Sequence, residues 1–193
     1  MRPSTLLILF VGALALSFIA AGGELSTELI KWTPGKKLTW NDFQGKPDFK
    51  SKNTKAVTWT KLKGRSKIHE DRIEYDYSCF FNKEKSWHTG TSVHLLNHEQ
   101  GHFDIGEICA RKFRKALAEH ISANISSTKK FLDSLENAID ETEQELTDLY
   151  ERETDSSRNI QGQLTWDRKI NTWLEESKSH TSTLVVIKRE IKK

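Results

Sequence analysis

The chain has 193 residues, with 30 Lys+Arg, 27 Asp+Glu and a formal net charge of +3. That length suits one compact domain, and so small a charge does not by itself indicate a nucleic-acid-binding protein. Two cysteines exclude a disulfide-dense mini-protein, and the sequence has no Cys/His spacing typical of a zinc finger. We therefore expect a single domain and no nucleic-acid partner.

The amino-terminal segment differs from the rest of the chain. Arg2 precedes an apolar run from Leu6 to Ala20, and small residues follow it, as in a secretory signal peptide. The run is shorter than the roughly 20 residues that a membrane-spanning helix needs. We therefore predict a signal peptide over residues 1–21, a secreted or periplasmic chain, and no stable membrane anchor after cleavage.

Export bears on the two cysteines, Cys79 and Cys109. An oxidising compartment allows them to form one disulfide. The alternative is a pair of buried free thiols, and sequence alone does not bring the two residues together.

Residues 24–90 have the features of a β-rich region. Apolar and polar side chains alternate over Ile73–Cys79, which is the pattern of a half-buried strand. Residues 55–62 are rich in β-branched and aromatic side chains and predict a second strand. Basic residues outnumber acidic ones over Lys31–Lys67. We favour solvated strand faces as the explanation, with attraction of an anionic surface or polymer as the alternative.

Residues 91–178 have a helical pattern. Apolar residues form one broad stripe on a first helix, residues 122–127 predict a break, and a second helix with one acidic face follows. A third helix is predicted over 161–177, and the tail 179–193 is a strand or a frayed end. The predicted fold is α+β: a small N-terminal β-rich part packed on a C-terminal bundle of about three helices. Both belong to a single domain over the residues that follow the signal peptide.

The first helix contains the sequence His98-Glu99-Gln100-Gly101-His102, an HExxH motif. Residues four apart lie on one helix face, so His98 and His102 can bind one Zn²⁺ together. Glu99 then lies beside the metal, where it can accept a proton from zinc-bound water. Two unrelated histidines with a surface glutamate are the alternative. The position on an amphipathic helix favours a zincin-like metal helix.

A catalytic zinc needs a third protein ligand. If the turn lies near residue 126, an antiparallel second helix brings Tyr150 and the residues after it beside the histidines. Glu153 continues the apolar stripe of that helix and is the first candidate, and Asp155 is the second. Both could instead be solvated acids. Tyr150 is either a hydrogen-bond donor to the reaction oxyanion or a core tyrosine.

Three segments carry a resemblance to a known family: Leu38–Asp48, Ser86–Leu117 and Tyr150–Trp166. Together they resemble the bacterial domain of unknown function 922 family, whose members are regarded as secreted zinc-dependent proteases. The second segment, which contains HExxH, is the most specific. The resemblance implies a zinc-dependent protease acting on protein or peptide.

By this resemblance His98 and His102 are metal ligands and Glu99 is the catalytic acid and base. The third segment departs from the family pattern, because Ser156 stands where the family has histidine. Glu153, Asp155 or Glu151 would then have to substitute as a ligand.

These observations predict an exported zinc metallopeptidase that hydrolyses peptide bonds with zinc-activated water and Glu99 as general base. The alternative is a non-catalytic or degenerate metal-binding envelope protein whose basic surface binds a partner. A zinc amidase that acts on cell-wall material is a third, weaker possibility.

Overall fold

The computed structural model describes residues 28–49, 54–120 and 125–188. The predicted signal peptide, residues 1–21, lies outside the described residues. Within them, no helix combines the length and the apolar character needed to cross a membrane.

The described residues contain six strands, which form two antiparallel sheets. The strands are β1 (Leu29–Lys31), β2 (Ala56–Val57), β3 (Thr60–Ile68), β4 (Arg72–Asn82), β5 (Trp87–His88) and β6 (Leu184–Lys188). In the larger sheet the long strand β4 pairs with β3 along one side and with β1 and β6 along the other, while β2 and β5 pair separately.

Strand β4 is the centre of the larger sheet, and its alternating sequence sets the two faces. Odd-numbered residues from Ile73 to Phe81 are buried against the helices, on what we call the inner face. Even-numbered residues from Glu74 to Phe80 lie on the opposite, outer face because successive side chains point to opposite sides of a strand. The predicted strand over Ile73–Cys79 is confirmed.

Three helices follow the first five strands. They are α1 (Val93–Ala118), α2 (Ile125–Thr154) and α3 (Ile160–Glu176). Ser92 caps α1, since its hydroxyl accepts a hydrogen bond from the Leu95 N–H, and Asn159 caps α3 in the same way. Short 3-10 helices cover Trp40–Asp42 and Lys178–His180. The α+β architecture, with a small β-rich N-terminal part and three C-terminal helices, is confirmed.

Helix α1 lies between the sheet and the other two helices. Its Phe113 ring stacks on Tyr77 of the inner face, with ring centroids 3.7 Å apart. A second core between the helices contains Ile105, Tyr150 and Trp166, all fully buried. Because α1 is covered on both sides, the residues of HExxH are held on a rigid element.

Two local expectations are revised by the structure. The strand predicted over 55–62 is divided into β2 and β3 at Thr58 and Trp59, where the Trp59 N–H bonds to the Ser86 hydroxyl instead of a strand partner. Of the two alternatives for the cysteines, the structure has the free thiols: Cys79 and Cys109 are both buried. Burial raises the pKa of Cys109 to about 12.

A buried charge cluster joins α1 to the sheet. The Glu107 carboxylate accepts hydrogen bonds from Arg111 (2.9 Å) and Arg114 (2.6 Å), and all three side chains are buried. Arg114 also donates to the backbone carbonyls of Tyr77 and His180. The carboxylate therefore compensates two guanidinium groups. Arg114 holds α1 against β4 and the segment that precedes β6, and Arg111 holds α1 against α3 through the Leu174 carbonyl.

We expect Glu107→Ala to lower the free energy of unfolding by about 3–5 kcal/mol, because two buried guanidinium groups lose their counter-charge. Urea unfolding followed by circular dichroism measures the effect. The exposed Glu145, which should cost less than about 0.5 kcal/mol when changed to alanine, is the control. Equal losses in the two variants would contradict the assignment.

Candidate metal centre

Three side chains from two helices converge at the middle of α1. The Glu151 carboxylate Oε1 lies 2.9 Å from His102 Nε2 and 3.4 Å from His98 Nε2, and the two Nε2 atoms are 3.3 Å apart. No other group of three or more potential ligand side chains close enough to share an ion occurs in residues 28–49, 54–120 and 125–188.

The spacing of these three atoms fits a zinc ion. Ligands at the usual distances of about 2.0–2.2 Å from a tetrahedral zinc lie roughly 3.3–3.5 Å from one another. Two imidazoles and one carboxylate also form a ligand set that zinc accepts, and they leave one tetrahedral position open. His98, His102 and Glu151 could therefore hold a metal together.

A hydrogen bond to Gln163, on the side of the ring away from Glu151, fixes the orientation of His98. Its Nδ1 lies 3.0 Å from the Gln163 Oε1, while the Gln163 amide nitrogen donates to Tyr150 (2.7 Å) and Asp167 (2.8 Å). Since the amide oxygen can only accept, Nδ1 carries a proton and donates to it, and Nε2 is the ring nitrogen that faces Glu151 and His102. Such a partner behind a metal-binding histidine sets its tautomer and its direction.

The Tyr150 ring closes the core beneath the histidines. It stacks on His98 with centroids 4.6 Å apart, and its hydroxyl donates to the His98 backbone carbonyl at 3.0 Å. A Cβ at Gly101 would overlap this hydroxyl, so the glycine inside HExxH is what lets α2 approach α1 so closely.

These contacts decide between the two roles considered for Tyr150. The side chain is fully buried, and its hydroxyl is used by the His98 carbonyl and by Gln163. The expectation of an oxyanion donor is therefore wrong. Tyr150 is a core residue that positions His98, one of the candidate metal ligands.

The expected third ligands, Glu153 and Asp155, point elsewhere. The Glu153 carboxylate accepts from the Trp166 indole (2.7 Å) and pairs with Lys169 (3.3 Å), while Asp155 pairs with Arg158 at the exposed end of α2. The prediction of Glu153 is wrong because α3 draws that side chain away, and Glu151 contributes the carboxylate instead.

Charge and burial differ among the polar groups of the site. Burial opposes ionisation of Glu151, but its hydrogen bonds with His102 and His98 lower the pKa of this carboxyl well below its usual range. Burial likewise disfavours charged His98, but hydrogen bonds with Glu151 and Gln163 and the negative charges of Glu99 and Glu151 together raise the pKa of the imidazole. Burial raises the pKa of Glu99, and the smaller opposing effects of the two histidines and of a hydrogen bond with Thr58 do not cancel it.

The three candidate ligands and Glu99 line a cleft of about 260 Å³. Residues 54–58 form one wall, and Thr147 and Ser156 of the α2 side line it too. The Thr58 hydroxyl donates to the backbone carbonyl of Glu99 at 3.3 Å, which ties this wall to the metal helix.

A left-handed turn follows α2 at the mouth of the cleft. Asp155, Ser156 and Ser157 have φ of 49°, 47° and 71°, a conformation that costs roughly 1–2 kcal/mol for each non-glycine residue. The turn hydrogen-bonds Ser156 to Glu151 and directs the Ser157 carbonyl to His94 Nε2. These hydrogen bonds thus hold the strained turn beside Glu151, the third candidate ligand.

In comparisons with known proteins, no protein-family model, curated protein or solved structure matches the chain. The resemblance to the domain of unknown function 922 family therefore stays a prediction, and the functional argument rests on the site itself.

Sequence reasoning named Glu151 as a possible ligand but placed it behind Glu153 and Asp155, and it missed Gln163. The signal for Glu151 was a polar row at four-residue spacing, which it shares with Glu143 and Thr147 on one side of α2. Gln163 had no signal, because its role depends on how α3 packs on α1.

Glu151→Ala should weaken Zn²⁺ binding at least 100-fold, because it removes one of three protein ligands. Glu153→Ala is the matched control on the same helix and should leave affinity within about threefold. Isothermal titration calorimetry of the apoprotein with Zn²⁺ distinguishes them. The ligand assignment fails if Glu153→Ala is the variant that loses the metal.

Proposed function

We propose that this chain is a zinc-dependent metallopeptidase. One observation carries the proposal: His98, His102 and Glu151 converge to within metal-binding distance of one another, beside the buried Glu99, in an open cleft. Nitrogen and carboxylate donors in a three-ligand set with one free position are typical of hydrolytic zinc sites. The predicted signal peptide and the resemblance to the domain of unknown function 922 family agree with this proposal.

Zinc bound there would supply Lewis acidity and lower the pKa of a coordinated water to near 7. Glu99 follows His98 directly on α1 and lines the same cleft. Burial raises the pKa of the Glu99 carboxyl. A general base works best when its pKa is near the operating pH, so this shift suits Glu99 to accept protons near neutral pH. In the proposed reaction Glu99 accepts a proton from the attacking water and later delivers it to the leaving amine.

The wall of the cleft supports a peptide as substrate. The Lys55 carbonyl accepts hydrogen bonds from Thr89 and Gly90, so this residue faces β5. Because the backbone groups of successive residues point to opposite edges of a strand, Ala56 directs its N–H and C=O to the other edge. An extended peptide can pair with such an edge.

The oxyanion needs a donor other than Tyr150. The Thr147 hydroxyl lines the cleft as an uncharged donor and Lys55 as a charged one, whereas the Thr58 hydroxyl already bonds to the Glu99 carbonyl and Ser156 to Glu151. A non-catalytic metal-binding protein is the second candidate, and one observation favours it: the tyrosine hydroxyl next to the histidines is committed to the core.

We expect Glu99→Gln to keep zinc at one ion per chain and to reduce hydrolysis of an unfolded protein substrate about 10²- to 10⁴-fold, as loss of a general base does. Zinc content and the release of new amino groups are measured on the same sample. Glu119→Gln, an exposed change at the end of the same helix, is the control.

Equal hydrolysis by the wild type and Glu99→Gln would refute the proposed mechanism. A zinc-loaded wild type that cleaves neither peptides nor amides would favour the non-catalytic candidate. Cleavage of a cell-wall amide without cleavage of peptides would assign the site to an amidase.

A further inference from the structure

The outer face of the larger sheet carries a row of cations on β3. Lys61, Lys63, Arg65 and Lys67 alternate along the strand, so all four side chains lie on the face opposite α1, and all four are exposed. We call these four residues the basic row. Alternate residues of a strand are about 6.6–6.8 Å apart, so the row is roughly 20 Å long.

The positive charge of the basic row is not neutralised by the neighbouring strand. The acids of β4 that lie across from Arg65 and Lys67 are Asp76 and Glu74. Glu74 on β4 is instead bonded to Arg72 at 3.0 Å, and Asp76 lies 3.9 Å from Lys31. The acids that face the row across the sheet are thus shared with other cations.

Two aliphatic side chains are exposed on the same face. Leu184 and Val186 of β6 are each 50% exposed, and they lie opposite Asp76 and Glu74 of β4. The outer face therefore has a basic edge and an apolar edge, separated by β4.

A charged edge strand has one ordinary explanation. Within the described residues β3 pairs with β4 alone, and lysines on an edge discourage pairing with another chain. Protection of the edge strand does not explain why Leu184 and Val186 are half-exposed on β6, at the other side of the same face.

We propose that the outer face docks reversibly on an anionic lipid bilayer, with the basic row at the headgroups and the two aliphatic residues at the interface. Juxtaposed cations and exposed aliphatic side chains are the features that bind peripheral proteins to acidic membranes. Trp59 directly precedes β3 on the same side as the basic row; it is 43% exposed, and the Lys85 ammonium lies 4.3 Å from its ring centroid. A single tryptophan among cations suits the interface of a bilayer, whereas single-stranded nucleic acid needs several rings on which successive bases stack, which is why we favour lipid.

Docking of this kind leaves the candidate metal site uncovered. The basic row and α1 lie on opposite faces of the sheet, and residues 54–58 and α2 form the cleft. The inference is therefore independent of the proposed peptidase activity. His98→Ala should bind vesicles like the wild type even though it loses the metal.

The test uses residues 22–193, which contain every described residue and lack the apolar amino-terminal run. Binding is measured by co-sedimentation with vesicles of 30% phosphatidylglycerol and 70% phosphatidylcholine, and with vesicles of phosphatidylcholine alone. The variant K61Q/K63Q/R65Q/K67Q should bind the anionic vesicles about 600-fold more weakly, since each of the four cations near such a surface contributes about a fivefold factor. Binding should also weaken as salt is added.

The control K112Q/K115Q/K129Q/K130Q removes the same charge from exposed helix positions. It should stay within about threefold of the wild type. Thermal unfolding of each variant shows that its fold is kept.

Several results would overturn the proposal. Equal losses in the two quadruple variants would mean that net charge alone drives binding. Self-association of the basic-row variant with unchanged vesicle binding would mean that the row only protects the edge. Binding of a single-stranded oligonucleotide without binding of vesicles would assign the face to nucleic acid.

Discussion

The contact between Tyr150 and the His98 backbone carbonyl is the interaction on which the site depends. It joins α2 to α1 at the first residue of HExxH, and the absence of a side chain at Gly101 leaves room for it. Gln163 connects α3 to the same contact, because its side chain hydrogen-bonds to both Tyr150 and His98. Three helices therefore meet at one imidazole, and its ring has little freedom to turn.

This arrangement makes the polar groups of the core mutually dependent. A buried hydroxyl or amide costs free energy unless it is hydrogen-bonded, and here each group satisfies another. The same contacts place Glu151, one residue after Tyr150, across from the two histidines. Rigid support of this kind is what a metal site needs to keep its geometry.

The fold and half of the site could be predicted because their signals are local. HExxH places His98, Glu99 and His102 by helix periodicity alone, and β4 shows its buried face by strict alternation. Counting equal numbers of residues on each side of the turn between α1 and α2 also predicted that the end of α2 lies near the histidines. The count did not fix the rotation of α2.

Residues two apart on a helix point about 200° away from each other. The prediction of Glu153 instead of Glu151 therefore placed the ligand on nearly the opposite side of α2. The correct choice depends on Trp166 and Lys169 of α3, which bind Glu153. Such long-range contacts, like those of Gln163, leave no pattern in the local sequence.

The charges of the chain are divided between its surfaces. The basic row lies on the outer face of the sheet, while the carboxylates of α2 approach the inner face and the metal site, as Glu136 does at Tyr75. The near-neutral total charge conceals this separation. In our account, one surface holds the protein near an anionic membrane and another carries the chemistry.

Anomalous X-ray diffraction at the zinc edge, from crystals of the zinc-loaded protein, tests the central claim most directly. The account predicts one strong peak per chain, about 2.0–2.2 Å from His98 Nε2, His102 Nε2 and a Glu151 carboxylate oxygen. A peak bound by Glu153, or no peak between the two histidines, would contradict it.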